Sequence, residues 1–273
     1  MNLECFFESQ LKIWDQAQRN YEGLEKAITK PFSVGSLKGF VQYNPARAIS
    51  TNAKTDKKDI LKRPCFLCRQ NRPETQISEE IIPGWEILLN PFPIFPRHFT
   101  IAYKEHTNQF FDINIAKRLA ESLPGMVVFY NDDGAGASAP DHAHYQAVCK
   151  ESLPLVNQID SLSHSEANLK EFISGLPFRI ILSENIKETV TDNFHPFNAF
   201  TWMNSSGNLM NIIIPRKKHR PDCFYFQPPF RRAISPGAVD MAGILITPFE
   251  DDFKLLTDHE IKEIYKQVAI SND

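Results

Sequence analysis

A chain of 273 residues, 42% hydrophobic and 23% charged, is long enough for one large hydrophobic core or two small ones. Its net charge of −3 argues against broad nucleic-acid or anionic-membrane binding, so any anion site must be local. No apolar run reaches membrane-spanning length, and MNLECFFESQLKIWDQAQ lacks a signal peptide's basic start and apolar core, which predicts a soluble, cytoplasmic protein.

In chain order, Phe6, Phe7, Leu11, Trp14, Ala17, Tyr21 and Leu24 fall near helical spacing and predict one amphipathic helix over the first thirty residues, ended by Lys30-Pro31. The polar, basic stretch Asn44–Pro64 has no periodicity and reads either as a surface loop or as a loop that contacts substrate. WEILLN, the turn PFPIFP and HFTIAY predict two strands from Trp85 onward. TNQFFDINIAKRLAESL predicts a helix capped by Thr107 or Asn108 and broken at Pro124-Gly125. MVVFYN and HAHYQAVCK predict further strands, giving an α+β layout: an antiparallel sheet with helical cover.

The second half partly echoes the first. FRIILSE (Phe178–Glu184), FNAFTWMN (Phe197–Asn204) and NLMNIIIPRKKHRP (Asn208–Pro221) predict strands. Trp85–His106 and Phe197–His219 share the order strand, turn, strand, basic residue, histidine. This weak repeat predicts a duplicated architecture, with a catalytic half at 1–150 and a second half at 151–273 that contributes to the substrate site.

The most informative stretch is GASAPDHAHYQ, Gly136–Gln146. On a strand, His142, His144 and Gln146 face one way and Ala143, Tyr145 and Ala147 the other. A solvent-facing strip of an edge strand would also carry this pattern, but the small-residue approach through Gly134, Gly136, Ser138 and Pro140 points to phosphoryl chemistry. A neutral imidazole is a good nucleophile toward phosphorus. An amide donates to a phosphoryl oxygen without titrating, and glycine-rich backbone lets N–H groups approach a phosphate.

Of the five cysteines, Cys5, Cys65, Cys68, Cys149 and Cys223, only Cys65 and Cys68 lie close together, and an odd count does not suit a secreted disulfide framework. The other three read as small buried residues. Cys65-x-x-Cys68 lacks a thioredoxin-like setting, which favours zinc over redox chemistry. Closing a tetrahedron takes two more ligands, best supplied by His106 and by one of His142 and His144. With Cys65, Cys68, His106 and His142 on the metal, His144 is left for chemistry. Chelation by both histidines of H-x-H, giving a catalytic hydrolytic metal, is the other possibility. In the second half, Arg216, Lys217, Lys218, His219 and Arg220 form a charge run that reads as a solvated loop or as a clamp for a second phosphorylated substrate, with Arg216 and Lys218 its leading candidates and Arg231 and Arg232 further ones.

At these residues the chain resembles the galactose-1-phosphate uridylyltransferase branch of the histidine-triad (HIT-like) superfamily, which includes nucleoside-diphosphate-hexose phosphorylases and diadenosine polyphosphate phosphorylases. QYNPAR, CFLCRQN, LLNPFPIF, KEH and YNDDGAGAS…HAHYQ carry the resemblance, from about Gly39 to Gln146. It implies a HIT-like sheet, a structural zinc or iron on Cys65, Cys68, His106 and His142, and often a homodimer. It further implies that His144 is the nucleophile forming a nucleotidyl-histidine and that Gln146 is a phosphate ligand. Asn131 and Ser138 would contact phosphates, with Gly136 in the same loop, and Asn90 would lie near the nucleotide. Glutamine in the place of a third histidine implies transfer over hydrolysis. The chain departs from the uridylyltransferases at Asp141, inserted before His142, and lacks a clear match to their sugar-binding residues.

These readings lead to a nucleotidyltransferase or phosphorylase. It would act on a nucleoside diphosphate sugar or dinucleoside polyphosphate, with phosphate or a sugar phosphate as acceptor. A nucleotide hydrolase and a non-catalytic, zinc-stabilised nucleotide-binding protein are the alternatives.

Overall fold

The computed structural model describes residues 2–47, 60, 62–183 and 194–272; most of the basic stretch Asn44–Pro64 therefore lies outside the described residues. The chain opens with two helices rather than one: α1 (Leu3–Ile13) and α2 (Asp15–Leu24), which break at Trp14. Asn2 caps α1 by accepting from the backbone N–H groups of Glu4 and Cys5. Lys30 and Pro31 do not end a helix. They lie in β1 (Ile28–Val34), which among the described residues pairs only with β2 (Leu37–Tyr43) and stands at the sheet edge, where a residue without an N–H costs no ladder bond.

Among the described residues nine further strands follow: β3 (Ser78–Ile82), β4 (Trp85–Leu89), β5 (His98–Tyr103), β6 (Met126–Asn131), β7 (His144–Cys149), β8 (Ile181–Ser183), β9 (Phe197–Met203), β10 (Leu209–Pro215) and β11 (Ile244–Thr247). Eight of them form one antiparallel sheet in the order β3-β4-β5-β7-β6-β9-β10-β8, so strands from both halves of the chain share one sheet through the β6–β9 pair. The two segments of weak internal likeness are both hairpins of that sheet, β4–β5 and β9–β10. A second, three-stranded sheet runs β1-β2-β11, with β11 parallel to β2.

The helices are α3 (Ile113–Ser122), α4 (Pro154–Leu162), α5 (Glu166–Ser174), α6 (Ala238–Met241), α7 (Glu250–Leu255) and α8 (Asp258–Val268). The cap of α3 is Asp112, not Thr107 or Asn108; its carboxylate accepts from Asn114 N and Ile115 N. Among the described residues, no helix is long and apolar enough to cross a membrane.

Strand alternation divides the side chains into two cores. Val128 and Tyr130 of β6, with Phe197 and Ala199 of β9, pack beneath α1, α2 and α3. Val127 and Phe129, with Phe200 and Trp202, pack on the other face against the small sheet, α4 and α8. The layers are therefore helices, large sheet, then small sheet with the remaining helices. This is the expected α+β architecture.

The small sheet is closely apposed to its surroundings at Gly39. A Cβ there would overlap the carbonyl oxygen of Gly243 and the ring of Phe32, the cross-strand partner. Gly39→Ala is expected to lower the unfolding free energy by about 1–3 kcal/mol, as overpacking does, measured by urea denaturation.

Candidate functional site

A cavity of about 760 Å³ opens between the two sheets. Its floor comes from adjacent strands of the large sheet, where Thr100, Gln146 and Phe129 are cross-strand neighbours on one face. Phe66, Leu67 and Pro73 wall it on the N-terminal side, and His219, Ser235 and Val239 on the C-terminal side.

The strand β7 starts at His144, and His142 precedes it with a different task. His142 Nε2 donates to the carbonyl of Tyr103 at 2.8 Å, which leaves Nδ1 as the acceptor nitrogen. That nitrogen lies 3.3 Å from Cys65 Sγ and 3.6 Å from Cys68 Sγ, while His106 Nδ1 lies 3.2 Å from Cys68 Sγ. The four ligand atoms lie within 4.8 Å of one another. Two thiolates and two imidazoles converging at such separations suit a tetrahedral ion with bonds of about 2.0–2.3 Å. The Tyr103 carbonyl is the outer partner that fixes the tautomer of a ligating histidine. The cluster can thus hold a metal ion, and it ties the Cys-x-x-Cys segment to the end of β5 and the entry to β7.

His144 is turned the other way, onto the cavity wall. Its Nδ1 donates to the carbonyl of His142 at 2.8 Å, so Nε2 carries the available lone pair. Burial pulls its pKa down to about 4, partly opposed by that hydrogen bond.

Two residues without any motif support this geometry. The first is Gln109, whose side-chain amide accepts from His144 N at 2.8 Å and donates to His144 O and Asn131 O at 3.0 and 2.8 Å. The β6–β7 ladder ends at Phe129 and Gln146, and beyond it this amide acts as a surrogate peptide between the diverging strands. The second is His98 on β5, which is fully buried. Its Nδ1 accepts from Ile94 N at 3.4 Å and its Nε2 donates to Gln146 Oε1 at 2.7 Å. With its oxygen occupied, Gln146 turns its NH₂ group to the cavity.

The same logic holds at Asn131. Its Oδ1 accepts from Asn198 Nδ2 at 3.0 Å and from Ala238 N at 2.6 Å, leaving the NH₂ as its free function on the wall. Gly136 and Ser138 line the cavity as well. Gly136 has φ +100°, and a Cβ there would sit 2.7 Å from Gly237 Cα, so the loop can pass only as glycine. Asn90 is on the wall, but its amide staples the β4–β5 turn, accepting from Phe92 N and donating to Thr100 Oγ1.

The basic run is divided by the fold. Arg216 is 2% exposed, and its guanidinium donates to Asn198 Oδ1 and to the carbonyls of Val268, Lys218, His219 and Pro236. It is a bracing residue of the interior and not part of the wall, because the Arg216–Ala269 bridge continues the backbone pairing inward past β10. Lys218 pairs with Asp222 at the surface and is likewise off the wall. His219 and Arg220 are the members that reach the cavity, joined by Ser235, whose hydroxyl lies 2.9 Å from both His219 Nε2 and Arg220 Nε. Arg232 pairs with Glu260, and Arg231 stacks over Phe224.

Burial and the nearby Arg47 charge pull the pKa of His98 from an ordinary 6.5 down to about 3. The unfolded chain therefore binds a proton between these values that the folded chain refuses. This contribution to stability is complete above pH 6.5 and is lost as pH falls toward 3, by about 1.4 kcal/mol per unit. His142, His144 and His219 are also held down by burial, so His98→Gln should lower the slope of that limb without removing it when urea unfolding is followed from pH 7 to pH 4. Equal slopes in both proteins would contradict it.

No curated protein matches the chain by sequence. Its fold is similar to that of yeast Ap4A phosphorylase Apa2. Against the crystal structure with AMP the identity is 16% over 97% of this chain and 98% of that one, with a TM-score of 0.57. Against the structure with Ap4A it is 15% over 96% and 98%, with a TM-score of 0.58. The fold is accordingly HIT-like. Residues 6–149, just over half of the chain, match the family described as Domain of unknown function (DUF4922), and the protein belongs to that family.

Proposed function

We propose that the protein transfers a nucleotidyl group through His144, with a dinucleoside polyphosphate as the donor that best fits. The observation that carries this reading is the placement of His144: Nδ1–H is bound to the His142 carbonyl, which leaves Nε2 as the free nitrogen of a residue that lines the cavity with Gln146 and Ser138. The similarity to a fold whose crystal structures hold AMP and Ap4A supports the choice of donor.

In the first step the Nε2 lone pair attacks the α-phosphorus. The N–P bond forms, the P–O bond to the departing phosphate chain breaks, and its electron pair leaves with that oxygen. In the second step an oxygen of inorganic phosphate attacks the same phosphorus, and the N–P electron pair returns to Nε2. The amide NH₂ groups of Gln146 and Asn131 would donate to non-bridging oxygens as their charge rises. A sugar phosphate as acceptor would use the same chemistry. Residues 1–150 supply the nucleophile and the metal cluster, and residues 151–273 the facing wall, which is how two halves of a duplicated unit would divide the work.

We assign zinc to Cys65, Cys68, His106 and His142. These four side chains would hold the ion as a closed, structural site, which would fix the His142 backbone in place and leave no open position for substrate. The protein is expected to carry one zinc per chain. Cys65→Ser should lose the ion and lower the Tm, read by elemental analysis and thermal melting.

Incubated with diadenosine tetraphosphate and no acceptor, the native chain is expected to gain the mass of one adenylyl group. His144→Gly should gain none and lose activity by at least about 10³-fold. Persistent adenylylation of that variant would overturn the assignment. Steady release of free nucleotide without acceptor would favour hydrolysis over transfer.

A further inference from the structure

We infer that Arg63 is a ligand for the phosphate chain of the substrate and that Asp141 is the positioning residue that aims it. The inference rests on reading the cavity as a nucleotide phosphate site and adds to it a residue that no motif marks.

Arg63 stands two residues before the first metal-cluster cysteine, on the cavity wall with Ser138 and His144. Its Nη2 donates to Asp141 Oδ1 at 3.1 Å and to the carbonyl of Ser138 at 3.3 Å. One flat face of the guanidinium lies over the Phe66 ring, 4.8 Å from its centroid. Three contacts thus fix the plane and rotation of the fork.

They leave one part of it unused. Nη1 is buried and has no hydrogen-bond partner among the described residues. A residue serving only to staple two loops would present both terminal nitrogens to the carboxylate, the favoured bidentate arrangement. Here Asp141 takes a single nitrogen, and the second is buried and unpaired in a residue that borders a cavity rich in donors. A buried cationic N–H without an acceptor is costly unless a ligand supplies one. The ligand chemistry it suits is a phosphate oxygen, to which arginine binds strongly and with defined geometry.

The pairing also accounts for Asp141, which is inserted directly before His142. Its side chain is 15% exposed and meets Arg63 across the base of the active-site loop, so the loop holding Ser138 and the segment leading to Cys65 are set relative to each other by this pair.

The test compares three ligands by titration calorimetry on the full chain: inorganic tripolyphosphate, ADP and adenosine. Arg63→Gln is expected to weaken tripolyphosphate and ADP by about 10- to 100-fold and to leave adenosine and the bound metal unchanged. Asp141→Asn should weaken the same two ligands by less. The double variant should be no worse than Arg63→Gln alone, because the aspartate acts through the arginine. Unchanged tripolyphosphate affinity in Arg63→Gln would overturn the inference. So would an equal loss for adenosine accompanied by metal loss, which marks a staple. A native chain that binds tripolyphosphate through Arg63 but no nucleotide would overturn the nucleotide reading and leave this one standing. A native chain that binds neither would overturn both.

Discussion

The hydrogen bond from His144 Nδ1 to the carbonyl of His142 is the interaction on which the site depends. It links two histidines with opposite duties through one peptide. The side chain of His142 is held by the metal cluster and the Tyr103 carbonyl, so its own carbonyl is held too. That carbonyl selects the tautomer of His144 and aims Nε2. The four-residue cluster and the ring of His144 are thus coupled through one peptide, the cluster lying on the side of His142 and the His144 ring on the cavity wall.

The wall shows a second regularity. Gln146 and Asn131 are both amides whose oxygens are consumed by donors from the protein, His98 in one case and Asn198 with the Ala238 N–H in the other. Each is left with only its NH₂ group for the cavity. An amide is an ambivalent group in water, but these two have been made into donors. In a protein of net charge −3, donors are thus gathered on one wall through local orientation more than through accumulated charge.

Much of this was legible in the sequence, for a definite reason. H-x-H-x-Q and Cys-x-x-Cys are local patterns that mark the residues, and the structure brings Cys65, Cys68, His106 and His142 together. The period of two puts His142 and His144 on one face, but β7 begins only at His144 and the two rings take different sides. His98, Gln109 and Arg63 were not legible, because their partners lie 48, 35 and 78 residues away and nothing in their own neighbourhoods announces them. The interior place of Arg216 was hidden for the complementary reason. A run of cations looks like a surface, yet its first member continues a backbone pairing and is drawn inside. The small sheet was hidden as well, since β2 and β11 meet only across two hundred residues of chain, and Pro31 reads as a stop until its strand is known to lie at an edge.

The surrogate peptide formed by Gln109 carries a consequence for how the cavity exists at all. Where β6 and β7 part, a sheet would ordinarily either zip further and close the gap or fray and lose its shape. One amide of fixed length spans the opening at both strands and sets the splay between them. Asn131 and His144 both stand on the cavity wall, so the gap between these two lining residues is set by a side chain anchored behind that wall.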